Sequence, residues 1–527
     1  MENFLTNYLG KFDFKNKIHC LAGFAFMILC AQLLIYFMAD GKPVFSTNDS
    51  YGYYLTEAKN IYRQSSIHDI AKLGLDLYFD QVEFANYDPR NFKPIHFPIY
   101  SPFLSLFFSL FDNEFLVIAS SQFLLCLTML YFCHLILINY LEPEKSFIIL
   151  VLFLWFSPLL IFLCDSNAEI FTGAFIMISF YLTLFAKKRT GVFYYLCLFL
   201  SSTIMFLRIK YLVLIPVLSV IFRLFCKFSK NEFQKEEQEI DIKNTIFFII
   251  FAIVLPFIIH LYAYNNLGWH YLNMIIIGLE KLFNNPLKQL YSTTFFMFSQ
   301  DLNYVYHNFV IFLLMMAGSI FFLITIFKNL RLKTLPKIMV IESFYCIFYA
   351  MLILFYNHDG FRMLISGVPI IFYLIYRNCD WEKLKKILIP LIIFVSFLQI
   401  LVIDLIIFDQ KKVALQTQLL EKIMDEYGQN DIGIDVDFID DVYRLPMMHM
   451  IKNDKHVMMF HFPNQACDKL TKYFANNFKF NLLVFREKTA SNCDFIKKNY
   501  KIENRNDLAL NKDIKVYLHN NYQKNNQ

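Results

Sequence analysis

Apolar runs close to about 20 residues long recur down this chain, and a helix of that length matches the hydrocarbon thickness of a bilayer. No other feature narrows its folds so far. A helix in a water-soluble core needs one apolar stripe and keeps a polar back. The run IHCLAGFAFMILCAQLLIYFM at 18–38 is apolar nearly all round. Composition agrees, with 62 Phe, 57% hydrophobic residues and 18% charged ones, where soluble chains carry about 25% charged residues. A soluble enzyme and a disordered chain are thereby excluded. The net charge of +5 is small, and its basic residues cluster between apolar runs. That pattern speaks for membrane topology and against a nucleic-acid face.

The first run follows Lys11, Lys15 and Lys17 and exceeds the about 7–15 apolar residues of a signal-peptide core. We read it as an uncleaved span with its N-terminal side inside, because basic flanks stay cytoplasmic. Ten further spans are expected at 115–137, 146–164, 168–186, 191–207, 210–226, 244–264, 306–327, 337–356, 362–376 and 387–408. Charge tests this alternation independently. Inside segments hold 20 Lys and Arg, whereas the short outside loops at 164–169, 208–211 and 357–362 hold 3. The fold class expected is therefore an all-α polytopic membrane protein of about 11 helices. Residues 1–408 form the transmembrane domain, with a large first outside loop at 39–114.

Within that loop, the thirteen residues Ile99 to Phe111 are apolar but too short to span, which suits an interfacial or re-entrant helix. After the last span the apolar runs cease, and 409–527 reads as a small outside α/β domain. Leu419, Leu420, Ile423, Met424 and Tyr427 mark an amphipathic helix, and HVMMFHF (456–462), NLLVFRE (481–487) and IKVYLH (514–519) read as strands. Only Cys467 and Cys493 of the 11 cysteines fall in this domain, and pairing between them is open. The chain has no CxxC pair and no zinc-type His spacing, so no cofactor is expected, with a divalent metal left open.

Ionisable groups are expensive near lipid, so their crowding at the outside face marks where chemistry is to be sought. Asp49 lies just after span one, in STNDSYGYYLTEAKNIY, where an N-cap role competes with a catalytic one. Asp165 and Glu169 stand together in LCDSNAEIF, at the junction of spans three and four. Arg208 and Lys210, and then His358, Asp359 and Arg362, put cations on the outside against the charge bias. Snorkelling to headgroups is the simple account of such cations. With Lys93 and His96 they also suit an anionic lipid headgroup. Acids and cations at one face point to a transferase whose leaving group is a phosphate.

In the order of these parts the chain resembles the GT-C glycosyltransferases, in the bacterial branch of protein mannosyltransferases and the lipid A aminoarabinose transferase. NDSYGYYLTEAKNIY resembles the acidic motif after span one, and KPIHFPIYSPFLSLFFSLF the Pro-rich approach to a juxtamembrane helix. DSNAEIF is similar to the second acidic loop, FLRIKYLVLIP to the basic turn before a Pro-bearing span, and GFRMLISGVP to the late Arg segment. Asn48-Asp49 stands where many relatives have two acids, and their Pro-Pro pair is absent. The resemblance covers most of residues 1–400 and implies a polyprenyl-phosphate or polyprenyl-diphosphate sugar as donor. It also implies inversion at the anomeric centre.

Physically, a phosphate leaves as a stable anion, so one general base on the acceptor hydroxyl and cations on the phosphate suffice. Asp49 is the expected base, with Asp165 or Glu169 orienting the acceptor or Asp49. Lys93, Arg208, Lys210 and Arg362 are the expected phosphate ligands. Tyr53, Tyr54, His96 and His358 are expected to meet substrate, although Tyr at an interface is also the ordinary belt residue. The partners expected are the lipid-linked donor, an acceptor lipid, glycan or protein, and membrane lipid, with no nucleic acid. The rival is a transporter or flippase of a lipid-linked anion, which would bind near the midplane and often has two related halves. In an endoplasmic reticulum lumen Asn48-Asp49-Ser50 would be a glycosylation sequon at the base itself. A bacterial inner membrane with a periplasmic site is therefore expected. The span count puts 409–527 and Asp49 on the same side, so a periplasm-dependent phosphatase fused after Gln527 should be active; activity of a cytoplasmic reporter alone would refute the topology.

Overall fold

The computed structural model describes residues 16–44, 100–184 and 191–208 with short gaps, 242–261, 422–435, 456–460, 480–503 and 514–521, plus isolated positions between. By contacts the chain divides into two units, one comprising Met1–Pro43, Ile95–Ile99 and Asn113–Asp404, the other Val44–Pro94, Tyr100–Asp112 and Leu405–Gln527.

The first unit is helical. Helix α1 (Lys17–Met38) starts where the Asn16 side chain accepts from the Ile18 amide, satisfying one of the orphan donors of a first turn. It ends as Gly41, at φ +73°, returns its amide to the Tyr36 carbonyl. A side chain at Gly41 would also meet the Tyr36 ring at 3.1 Å. Helix α3 (Glu114–Leu137) is capped in the same way by Asn113, whose side-chain Oδ1 accepts from the Phe115 and Leu116 amides. Then come α4 (Pro143–Phe156), α5 (Leu159–Phe162), α6 (Glu169–Leu184), α7 (Val192–Arg208) and α8 (Ile242–Ile249), the last continued by a π-helical turn at Ile250–Val254.

These helices coincide with six expected spans to within a few residues, α4 and α5 together matching the third. The spans expected at 210–226, 306–327, 337–356, 362–376 and 387–408 lie wholly or mostly outside the described residues. Among the described helices, Ile18–Met38 and Glu114–Leu137 are long and apolar enough to cross a membrane.

Helix α1 shows what its outer surface is for. Phe26, Leu29, Leu33 and Phe37 are exposed, while Gln32 is only 6% exposed. A helix in water has the opposite arrangement, so this polarity suits lipid outside and protein within. Inside the unit, α3 packs on α1, α4 and α6, and α6 packs on α7. At one end of the group His134 of α3 shares a 2.9 Å hydrogen bond with Ser146 of α4, and Phe24 of α1 meets the His134 ring edge-on.

In the second unit the short apolar segment is indeed helical, as α2 (Tyr100–Phe108). It buries Tyr100, Leu104 and Phe108 at four-residue spacing and exposes Leu106, with Tyr62 stacked on Phe108. The C-terminal part is a mixed sheet, with strands β1 (Asp431–Asp435), β2 (His456–Phe460), β3 (Leu482–Arg486), β4 (Tyr500–Glu503) and β5 (Ile514–His519) in the order β2-β1-β3-β5-β4. β1 runs parallel to both neighbours, Ile432 facing Val457 and Leu482, whereas β5 is antiparallel to β3 and β4.

The three strands read from sequence are present. β1 escaped that reading because DIGID is short, holds a Gly and is acidic at both ends. β4 escaped it as a four-residue edge strand whose Lys501 is exposed. Helices α9 (Glu487–Ser491) and α10 (Asp494–Asn499) follow β3. Their Cys493 joins a core of Phe480, Leu483, Phe485 and Ile496 and is disulfide-bonded to Cys467, so the open pairing is made.

Tyr500 and Tyr517 close this core, the Tyr500 hydroxyl donating to the Phe480 carbonyl at 2.7 Å. Burial raises the Tyr500 phenol above its ordinary range, and burial together with the Glu487 carboxylate pushes Tyr517 up to about 12. Above about pH 10 the unfolded chain releases these protons while the folded domain keeps them. Domain stability is thus unaffected below about pH 10 and falls as pH rises toward 12. In a tyrosinate absorbance titration, Tyr517→Phe should remove an ionisation near pH 12; loss of one near 10 instead would contradict the buried environment.

Candidate functional site

Of the residues that sequence analysis singles out, Asp165 and Glu169 have described side chains, and both lie in the first unit. Arg208 is the last residue of α7, described in its backbone alone. Asp49, Tyr53, Tyr54, Lys93, His96, Lys210, His358 and Arg362 lie outside the described residues.

The acidic junction is built as a turn between two helices. After α5 the chain tightens, with Leu163 N–H reaching the Leu160 carbonyl at 3.4 Å and Asp165 N–H the Phe162 carbonyl at 3.3 Å. These three-residue closures are long and weak. Glu169 then opens α6, where the positive end of the helix dipole favours its carboxylate. Thr172 secures that first turn, its amide and its hydroxyl both donating to the Ala168 carbonyl at 2.9 Å.

Burial of this junction is nearly complete. Asp165 and Ser166 are fully buried and Glu169 is 4% exposed. Two carboxyl groups so enclosed are costly to keep unless they serve a structural network or a reaction.

Two glutamines that sequence analysis did not single out surround the turn. Gln32 of α1 donates through Nε2 to the Ala119 carbonyl at 2.7 Å and to the Leu163 carbonyl at 3.0 Å. Gln122 of α3 is fully buried and donates through Nε2 to the Asp165 carbonyl at 2.7 Å. Their one signal in the sequence is a lone amide within an apolar run, which reads equally as ordinary helix-to-helix bonding.

Gln122 also measures depth. It lies eight residues into α3, about 12 Å along the axis from Glu114. The Asp165 turn is therefore recessed by about two helical turns from the end of α3, where sequence alone suggested a position at the face. Among the described residues no group of three or more His, Cys, Asp and Glu is placed to hold a metal ion.

No protein-family model matches the chain, and no curated protein matches it. Among solved structures, it is similar to the crystal structure of ArnT from Cupriavidus metallidurans in the apo state. The TM-score is 0.46 at 10% identity, over 94% of this chain and 98% of that one.

Proposed function

We propose that this chain is an integral membrane glycosyltransferase, moving a sugar from a polyprenyl-phosphate- or diphosphate-linked donor to a lipid, glycan or protein acceptor on the extracytoplasmic face. The observation that carries the reading is the enclosed acidic turn. Asp165 and Glu169 are both buried, at a turn whose Leu163 and Asp165 carbonyls are held by side chains from two other helices. A carboxyl pair in such surroundings marks a functional site by default.

In this mechanism Asp49 accepts the proton of the acceptor hydroxyl as that oxygen attacks the anomeric carbon. The sugar–phosphate bond breaks with its electron pair leaving on phosphate, which inverts the centre. Lys93, Arg208, Lys210 and Arg362 neutralise the departing charge, and Asp165 or Glu169 orients the acceptor or Asp49. Tyr53, Tyr54, His96 and His358 contact the sugar and headgroup. The Cys467–Cys493 disulfide supports an oxidising compartment for the C-terminal domain, as a periplasmic side requires.

The general test is to delete the chain from its source strain and compare surface glycans and envelope lipids; an unchanged profile would defeat the reading. Two substitutions probe the roles. Asp49→Asn keeps capping ability but cannot accept a proton, so the folded variant should bind undecaprenyl phosphate and form product about 10²-fold more slowly. Near-normal product from a well-expressed Asn variant would move the base to Asp165 or Glu169. Arg362→Ala should weaken undecaprenyl phosphate binding, and Arg362→Lys should restore little, because a bidentate fork is lost in both. Binding unchanged in the Ala variant would return Arg362 to headgroup snorkelling.

A further inference from the structure

The carbonyls at the end of a helix have no partner within it, and in a lipid-facing bundle water does not supply one. Leu163 and Asp165 lie in the turn just after α5, and two side chains from separate helices donate to their carbonyls. Gln32 gives one amide hydrogen to Ala119 on α3 and directs the same nitrogen to Leu163, so it joins α1, α3 and the turn at one point. Gln122, one turn further along α3 than Ala119, takes the Asp165 carbonyl. The turn's own closures, at 3.3 and 3.4 Å, are longer than any of these three bonds.

What holds the Asp165 backbone also fixes its carboxyl, since Asp has only two side-chain torsions beyond the Cα atom. Glutamine suits this task by length: asparagine is one methylene shorter, and leucine or methionine fills the space without a donor. Amides placed merely to join helices have no need to converge on one turn. Here two of the three bonds end within three residues, and the last of these is the acid itself.

We propose that Gln122 and Gln32 are positioning residues, which set the place of the Asp165 carboxyl by holding the backbone carbonyls of Asp165 and Leu163. The inference rests on the transferase reading, in which Asp165 orients the acceptor or the base. It assigns the glutamines no contact with donor or acceptor. Their loss should therefore slow transfer and leave donor binding intact, whereas a general loosening of the bundle would degrade both.

The test uses the full-length protein with Gln122→Met, Gln32→Met and the double substitution. Undecaprenyl phosphate binding is measured in nanodiscs, hydrogen exchange over 160–172 on the same samples, and product by re-expression in the deletion strain. Expected for Gln122→Met are binding within about twofold of wild type, faster exchange at 163–168, and product lowered by about 10²-fold, as for a reacting group misplaced by about 1 Å. The double variant should lose little more, since both amides serve one turn.

Wild-type product from folded Gln122→Met, or unchanged exchange in it, overturns the inference. Donor binding lost in parallel with product also overturns it, since that is the signature of general loosening. Gln122→Leu fills the space without a donor and is the second variant should Met fail to fold. Failure of both to accumulate makes the amide a requirement of the fold and likewise overturns a positioning role. If the deletion strain loses no product while exchange at 163–168 still quickens in Gln122→Met, the transferase reading fails and the hold on the turn stands.

Discussion

In a helix bundle that faces lipid, a buried polar group must find its partner inside the protein, and the first unit is organised around that requirement. Its helices turn apolar side chains outward, as Phe26, Leu33 and Phe37 do on α1, and keep the polar ones within. Hydrophobic burial between helices then contributes little, because lipid is as apolar as a leucine-rich neighbour. Close packing and polar bonds must hold the helices together. His134 and Ser146 supply one such bond, and Gln32 and Gln122 supply three more toward the opposite end of α3.

The amide bonds explain how an acidic turn persists at depth. Carboxyl groups favour water by many kcal/mol over an apolar medium, so Asp165 and Glu169 would be drawn to the face if the backbone carrying them were loose. Anchoring Leu163 and Asp165 through their carbonyls leaves both carboxyl groups in the bundle, beside the first turn of α6. A strained or preorganised site needs such support from residues that do not react. The C-terminal domain follows ordinary aqueous rules: a sheet with Phe480, Leu483 and Phe485 in its core, exposed Lys501 on a short edge strand, and a disulfide between Cys467 and Cys493.

Several elements were legible before any coordinates. The span at 18–38, the span from 115 and the short helix from 100 appear where length and hydropathy put them, because the bilayer imposes a length that composition alone can report. Strands β2, β3 and β5 were legible from β-branched and aromatic runs bounded by polar residues. β1 was not, since an Asp-flanked segment with a central Gly has weak strand preference and gains its place only from neighbours on both sides.

The candidate site divides along the same line. By itself the sequence determined that hydrophobic spans dominate, which loops carry the basic charge, and that Asp165 and Glu169 sit together between two spans, since hydropathy, charge bias and proximity along the chain are local properties. Tertiary structure alone decided that the acidic turn is recessed and fully buried, and that Gln32 and Gln122 reach it across 131 and 43 residues of chain. A glutamine in a span looks the same in sequence whether it bonds a neighbouring helix or steadies a functional turn. Its role depends on which carbonyl lies within about 3 Å of its amide, and only the packing of the helices brings that carbonyl there.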